Sequence, residues 1–177
     1  MLAGFLPVRS WAANAADVVL EEVTVTAQKR EQPLSKVGIS VTAFSGEQMK
    51  ALGVSSTRDI SEQTPGLVVS DFGGGTTTVF TIRGSGQLDF NDQQEAPVAV
   101  YLDGVYQSFL AGVGFNFYDL ERVEVLRGSQ GTLFGRNATG GLVQIISRKP
   151  TSRFEGYADL TVGSYGERQF EGAVNLP

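Results

Sequence analysis

The sequence predicts an α+β fold: a mixed β-sheet with short helices, followed by a pair of longer strands of different texture. Three observations predict it. Runs of period-2 alternation recur between turn signals, as in Ile39 to Phe44 and Val123 to Arg127, and such alternation marks half-buried strands. Ser45 with Gln48 and Ser56 with Asp59 stand three residues apart, ahead of short stretches that end at Gly53 and at Pro65-Gly66, which is how capped helices begin and stop. Beyond Pro150, strands with dyad alternation begin, the pattern of a transmembrane β-barrel, whose strands run to about ten residues.

Composition narrows the chemistry. The chain has 177 residues, room for one ordinary domain of roughly 100–150 residues and a little more. It has no cysteine and no histidine, 22 glycines and a net charge of −5. Without cysteine there is no disulfide framework, no thiolate nucleophile and no cysteine zinc site. Without histidine, imidazole general-base chemistry and a Ser-His-Asp arrangement are excluded as well. An acidic chain lacks the clustered Lys and Arg that phosphate backbones require, so nucleic acid is not an expected partner. No window reaches the roughly 20 consecutive apolar residues of a membrane helix.

The elements follow in order. Met1 to Ala16 carries a short apolar patch (Leu2, Phe5, Leu6, Val8) and then Ala13-Asn14-Ala15, the small-x-small form of a secretory cleavage site, and reads as the tail of a signal peptide. Val18 to Ala27 alternates and is β-prone, and Gln28 to Lys36 is polar. Ile39 to Phe44 gives a first core strand. The capping box at Ser45 starts a helix that runs through about Leu52 and stops at Gly53. The pattern at Ser56 starts a second helix, Thr57 to Gln63, ended by Pro65-Gly66. Leu67 to Ser70 and Thr77 to Arg83 return to strand, separated by the flexible Gly73-Gly74-Gly75.

Gly84 to Ala96 is polar and without periodicity. Its acids, Asp89, Asp92 and Glu95, do not follow the calcium-loop spacing, so it reads as a solvated loop with no metal. Val98 to Leu102, Asp103-Gly104, and Val105-Tyr106 form a hairpin signal, because Asp-Gly accepts the positive angles of a type I′ turn. Ser108 to Asn116 is rich in glycine and aromatics; Phe109 and Phe115 are either a second exposed loop or a satellite of the core.

Asp119 to Pro150, DLERVEVLRGSQGTLFGRNATGGLVQIISRKP, reads as two strands joined by a glycine-rich turn region. Glu121 and Glu124 are not arranged for acid/base work and are expected to pair with Arg122 or Arg127. The glycine run is no phosphate loop, since Gly135 is followed by Arg136 and Asn137 rather than Lys and Ser or Thr. In the final stretch Ala158, Leu160 and Val162 share one face and Tyr157, Asp159 and Thr161 the other; Phe170, Gly172, Val174 and Leu176 alternate after a Gly163 to Gly166 turn. Two such strands cannot close, and an open sheet edge is not tolerated in lipid, so the chain reads as truncated.

Asp119 to Pro150 closely resembles the end of the plug domain of TonB-dependent outer-membrane receptors, through Glu124-Val125-Leu126-Arg127-Gly128, Gly135-Arg136 and Gly140-Gly141-Leu142-Val143. Thr64-Pro65-Gly66-Leu67, Ile82-Arg83-Gly84 and Pro97 to Val105 match further plug motifs. The resemblance implies a signal-peptide remnant over 1–16, a Ton box and linker over 17–37, a plug over 38–150, and the first β-barrel strands over 151–177, of a barrel that closes about 22 strands. It implies that Glu21, Glu22, Val23, Thr24, Val25, Thr26 and Ala27 are the Ton box. That strand would pair with the TonB C-terminal domain of the TonB-ExbB-ExbD system by β-strand addition. Arg83 and Arg127 become a latch to acidic groups on the barrel wall, with solvated strand-end arginines as the alternative. Leu88, Phe90 and Asn91, with Phe109 and Phe115, become candidate substrate loops.

The function implied is energy-coupled uptake of a scarce ligand, a ferric siderophore first, across the outer membrane of a Gram-negative bacterium. The barrel would meet outer-membrane lipid, and no cofactor, metal or catalytic residue is implied. Alternatives are a receptor for vitamin B12 or oligosaccharide, or a stand-alone plug-like binding module without transport. An enzyme would need a catalytic constellation that this sequence does not display.

Overall fold

The computed structural model describes residues 23–87, 89 and 94–177. In chain order the strands and helices are β1 (Thr24–Val25), β2 (Gln32–Pro33), β3 (Ser40–Ser45), α1 (Gly46–Leu52), α2 (Ile60–Gln63), β4 (Leu67–Phe72), β5 (Thr77–Ile82), β6 (Val98–Leu102), β7 (Val105–Tyr106), β8 (Leu120–Arg127), α3 (Gly131–Phe134), β9 (Gly141–Ser147), β10 (Glu155–Val162) and β11 (Arg168–Asn175). Single 3-10 turns occupy Leu34–Lys36, Leu110–Gly112 and Ser164–Gly166.

A five-stranded sheet in the order β3-β8-β9-β6-β7 is the frame. β8 pairs antiparallel with both β3 and β9, whereas β6 runs parallel to β9. β8 and β9 are covered on both faces: β9 is accordingly almost continuous in apolar residues, whereas β8 carries Arg122 and Glu124 on its second covered face. On one face Val123, Val125, Val143 and Ile145 pack with Met49, Ile60, Phe80, Ile82 and Val100. On the other, Leu126 and Leu142 pack with Ala99, Ala138, Val25 and Ala27. The separate ribbon of β4 and β5 closes the first of these layers.

Local chemistry accounts for most element ends. Ser45 Oγ accepts from the Gln48 N–H at 3.2 Å, and Gln48 Oε1 accepts from the Ser45 N–H at 3.1 Å, so the capping box at α1 is complete. Gly53 ends that helix at φ 70°, a left-handed conformation for which glycine carries no side-chain penalty. Asp103 and Gly104, at φ 49° and 81°, make the tight turn between β6 and β7. At α2 the structure differs from expectation: the helix starts at Ile60, not Thr57. Asp59 Oδ2 accepts from the N–H groups of Ser55 and Ser56 and from the Ser55 hydroxyl, so the preceding residues form a turn around its carboxylate instead. Burial raises that carboxyl's pKa, but the hydrogen bonds from Ser55 and Ser56 outweigh burial and hold it below its ordinary value.

β10 and β11 pair in register from Glu155↔Asn175 to Val162↔Arg168. Leu160, Val162, Phe170 and Val174 are largely exposed. The polar side of the hairpin turns to the sheet: Tyr118 and Asp119 bond Gly172 and Glu171, and Lys50 pairs with Asp159 at 2.5 Å. No helix among the described residues is long and apolar enough to cross a membrane, which has no bearing on crossing by strands.

Candidate functional site

Glu21 and Glu22 lie outside the described residues; Val23 to Ala27 lie against the sheet. Their alternation is realised in space. Val25 and Ala27 are fully buried among Leu126, Leu142, Ala99 and Ala138, while Thr24 is exposed. Burying Val25 contributes about 1.5–3 kcal/mol and Ala27 less. Among the described residues the strand pairs only with its own return, Thr24↔Pro33 and Val25↔Gln32, after a turn in which the Lys29 N–H donates to the Thr26 carbonyl at 2.8 Å. The stretch that reads as a polar linker is therefore packed: Leu34 and Val37 join the same apolar cluster, and Lys29 lies over the Phe134 ring at 5.3 Å.

Beneath Thr26 sits the one fully buried carboxylate among the described residues. Glu124 Oε1 accepts from the Thr26 N–H at 2.8 Å, the Thr26 hydroxyl at 3.2 Å and Arg122 Nε at 2.8 Å. Arg122 Nη2 and Gln144 Nε2 both donate to Thr26 Oγ1, at 3.2 and 3.3 Å. Arg122 also pairs with Glu121. Of the two arginines the sequence offers, Arg122 takes both acids and Arg127 neither; the grip on Thr26 has no counterpart in the sequence reading. A signal was available. Glu124 lies between Arg122 and Leu126 on one face of the strand, so a charge stands beside a large apolar residue on a side that is not wholly polar.

Arg83 and Arg127 meet around a common turn. Arg127 Nη1 donates to the Pro65 carbonyl at 3.1 Å, and the Arg83 N–H donates to the Gly66 carbonyl at 2.8 Å. Arg83 is exposed with φ 51°; Arg127 is half-buried, with Nε buried and without a protein partner. Neither is ion-paired among the described residues.

The loop candidates divide. Leu88, Phe90 and Asn91 lie outside the described residues. Phe109 is 73% exposed. Phe115 packs against the core, with its ring 6.1 Å from Phe117 and its backbone bonded to Thr57. Of the two open readings of Phe109 and Phe115, core satellite describes Phe115 and exposed loop describes Phe109. No cluster of three or more Asp or Glu suited to a metal occurs among the described residues.

A family model described as TonB-dependent Receptor Plug Domain matches residues 33–142. The chain belongs to this plug family. The plug is 33% identical over 154 residues to the vitamin B12 transporter BtuB of Vibrio vulnificus (strain CMCP6), covering 84% of this chain and 24% of that protein. It is 30% identical over 170 residues to a ferrioxamine receptor of Yersinia enterocolitica, covering 90% of this chain and 23% of the other. Among solved structures it superposes on the ferric yersiniabactin uptake receptor FyuA from Yersinia pestis with a TM-score of 0.67 at 30% identity, covering 77% of this chain and 21% of that one. The plug thus spans about a quarter of the length of the curated relatives it matches. Membership assigns the protein to the outer membrane of Gram-negative bacteria.

Proposed function

We propose that the chain is the plug and first barrel hairpin of a receptor that carries a ferric siderophore through the outer membrane, powered through TonB. The observation that carries this reading is the placement of Val23 to Ala27: a β-prone strand lying on the plug, held by two small apolar side chains and one threonine, its outer residue Thr24 in solvent. Such a strand is suited to leaving the plug and pairing with another protein, since main-chain hydrogen bonds supply affinity with little demand on sequence.

The mechanism has three steps. Substrate binds outside, between plug loops such as that of Phe109 and the barrel's own loops. Occupancy shifts the strand over residues 21–27 toward exposure in the periplasm, a population shift in which no substrate bond breaks. TonB then pairs with the strand and pulls, and the plug rearranges to open a path. Arg83 and Arg127 latch plug to barrel through carboxylates on the wall; their common position at the Pro65-Gly66 turn and the unpartnered Arg127 Nε support that role. The outward apolar face of β10 and β11 supports their place in the wall. Siderophore is preferred over vitamin B12 because a ferrioxamine receptor and a ferric yersiniabactin receptor both stand among the similar proteins.

The test is a Thr24→Cys substitution in the full-length receptor, crosslinked to the periplasmic domain of TonB with and without ferrioxamine or ferric yersiniabactin. Crosslinking that rises with either chelate is the expected result. A rise with vitamin B12 alone would keep the receptor and discard the siderophore; no crosslink under any condition would overturn energised uptake.

A further inference from the structure

We infer that Glu124 is the clasp that sets how readily the N-terminal strand leaves the plug, with Thr26 as the residue it holds. The inference rests on the reading of Val23 to Ala27 as the strand that TonB takes. Val25 and Ala27 bury apolar surface, a non-directional attraction that lets the strand slide or fray. Among the described residues of the segment, Thr26 is the one whose main chain is bonded to a side chain of β8. Its N–H and hydroxyl, with Arg122 Nε, converge on a single carboxylate oxygen, and its hydroxyl also receives Arg122 and Gln144. Charge-assisted bonds in a dry site are the stronger kind and have directional demands.

The same cluster is built to open. Glu124 Oε2 and Gln144 Oε1, on residues directly opposed across β8 and β9, are buried and have no partner among the described residues. Unsatisfied buried acceptors favour any state that admits water. Once Thr26 lifts away, Glu124 keeps Arg122 and both its oxygens lie open to bulk water, so part of the cost of breaking the clasp is returned. A strand held only by apolar burial would lack that offset. A fully satisfied carboxylate would resist release more strongly. The arrangement therefore holds the strand closed at rest and makes its departure all-or-none at one residue. Glu124 is a positioning residue here: it acts on Thr26 and touches neither substrate nor TonB.

The test uses the full-length receptor in outer-membrane vesicles, without TonB and without ligand, and reads the rate at which a maleimide labels a cysteine placed at Val25, a position fully buried while the strand is held. Losing a hydrogen bond to a charged group predicts that Glu124→Gln and Thr26→Val each raise labelling by roughly tenfold. Because both act on one contact, the double variant should exceed the larger single effect little if at all. Val123→Ala weakens the same strand from its opposite face and should change labelling far less. Unchanged labelling in both variants, or an equal rise in Val123→Ala, would overturn the clasp. Since the readout needs neither TonB nor substrate, its failure is separable from failure of the uptake reading.

Discussion

Arg83 Nη2 lies 3.3 Å from Ser40 Oγ, and Ser40 is the register partner of Arg127 in the β3–β8 ladder. Two arginines 44 positions apart in sequence thereby flank one turn, Pro65-Gly66. Their environments differ, and the difference is testable. Arg127 is half-buried and its fork already engages Pro65, whereas Arg83 is exposed. In the full-length receptor Arg127→Lys should destabilise the plug by about 1–3 kcal/mol, since lysine cannot reproduce the planar fork and buried polar atoms lose partners. Arg83→Lys, at an exposed position and with the charge of the latch kept, should cost less than Arg127→Lys. Urea-induced release of the plug from the barrel, followed by protease sensitivity of the plug, measures both.

The cap of α1 gives a second prediction. Ser45→Ala removes an acceptor for the Gln48 N–H and should cost about 1 kcal/mol. Amide exchange within Gly46–Leu52 should speed up while exchange in β9 remains as it was. Ser45→Asn should restore most of the protection.

Two glycines should respond differently to alanine. At Gly141, φ is 149° and an added Cβ would lie 2.5 Å from the Leu126 carbonyl oxygen and 2.8 Å from Ile82 Cδ1. At Gly104, φ is 81° with no atom within 4 Å of an added Cβ. Gly104→Ala should therefore cost only the left-handed penalty, about 1–2 kcal/mol. Gly141→Ala must also move β8 backbone or the Ile82 side chain, and should cost distinctly more. Thermal unfolding of the two variants in the same detergent ranks them.

The Asp59 turn makes stability depend on acid. Its folded pKa lies below the ordinary value of 3.8, so near that pH the unfolded chain binds more protons than the folded one. The stabilisation is present above about pH 4 and is lost as pH falls through the folded pKa. Asp59→Asn should flatten that part of the stability profile below about pH 4, measured by urea unfolding at each pH. It should also weaken the turn at neutral pH, because an amide is a poorer acceptor for three donors.

Much of this protein is written locally. Ser45, Gln48 and Gly53 are sufficient to place α1 to the residue, and Asp103-Gly104 to place the turn between β6 and β7, because capping and left-handed turns depend on neighbours within four positions. The two faces of β10 and β11 follow from alternation in the same way. α2 was only half legible: Asp59 has two local uses, in a helix cap or in a turn, and the turn prevails by gathering Ser55 and Ser56 around the carboxylate. The four-residue α3, inside what reads as a glycine-rich turn, had no sequence signal strong enough to set it apart.

Pairings between distant segments had to wait for the folded chain: the parallel contact of β6 with β9, the packing of residues 23–37 on the sheet, the inward position of Phe115, and the hold of Glu124 on Thr26, 98 residues away. A strand's alternation states which residues share a face but not what will cover it, and a buried carboxylate selects whichever donors the completed fold delivers. Local periodicity therefore determined the elements and, through its motifs, the family; the identity of the strand's anchor waited on the fold, because only three-dimensional packing removes water from Glu124 and makes its partners matter.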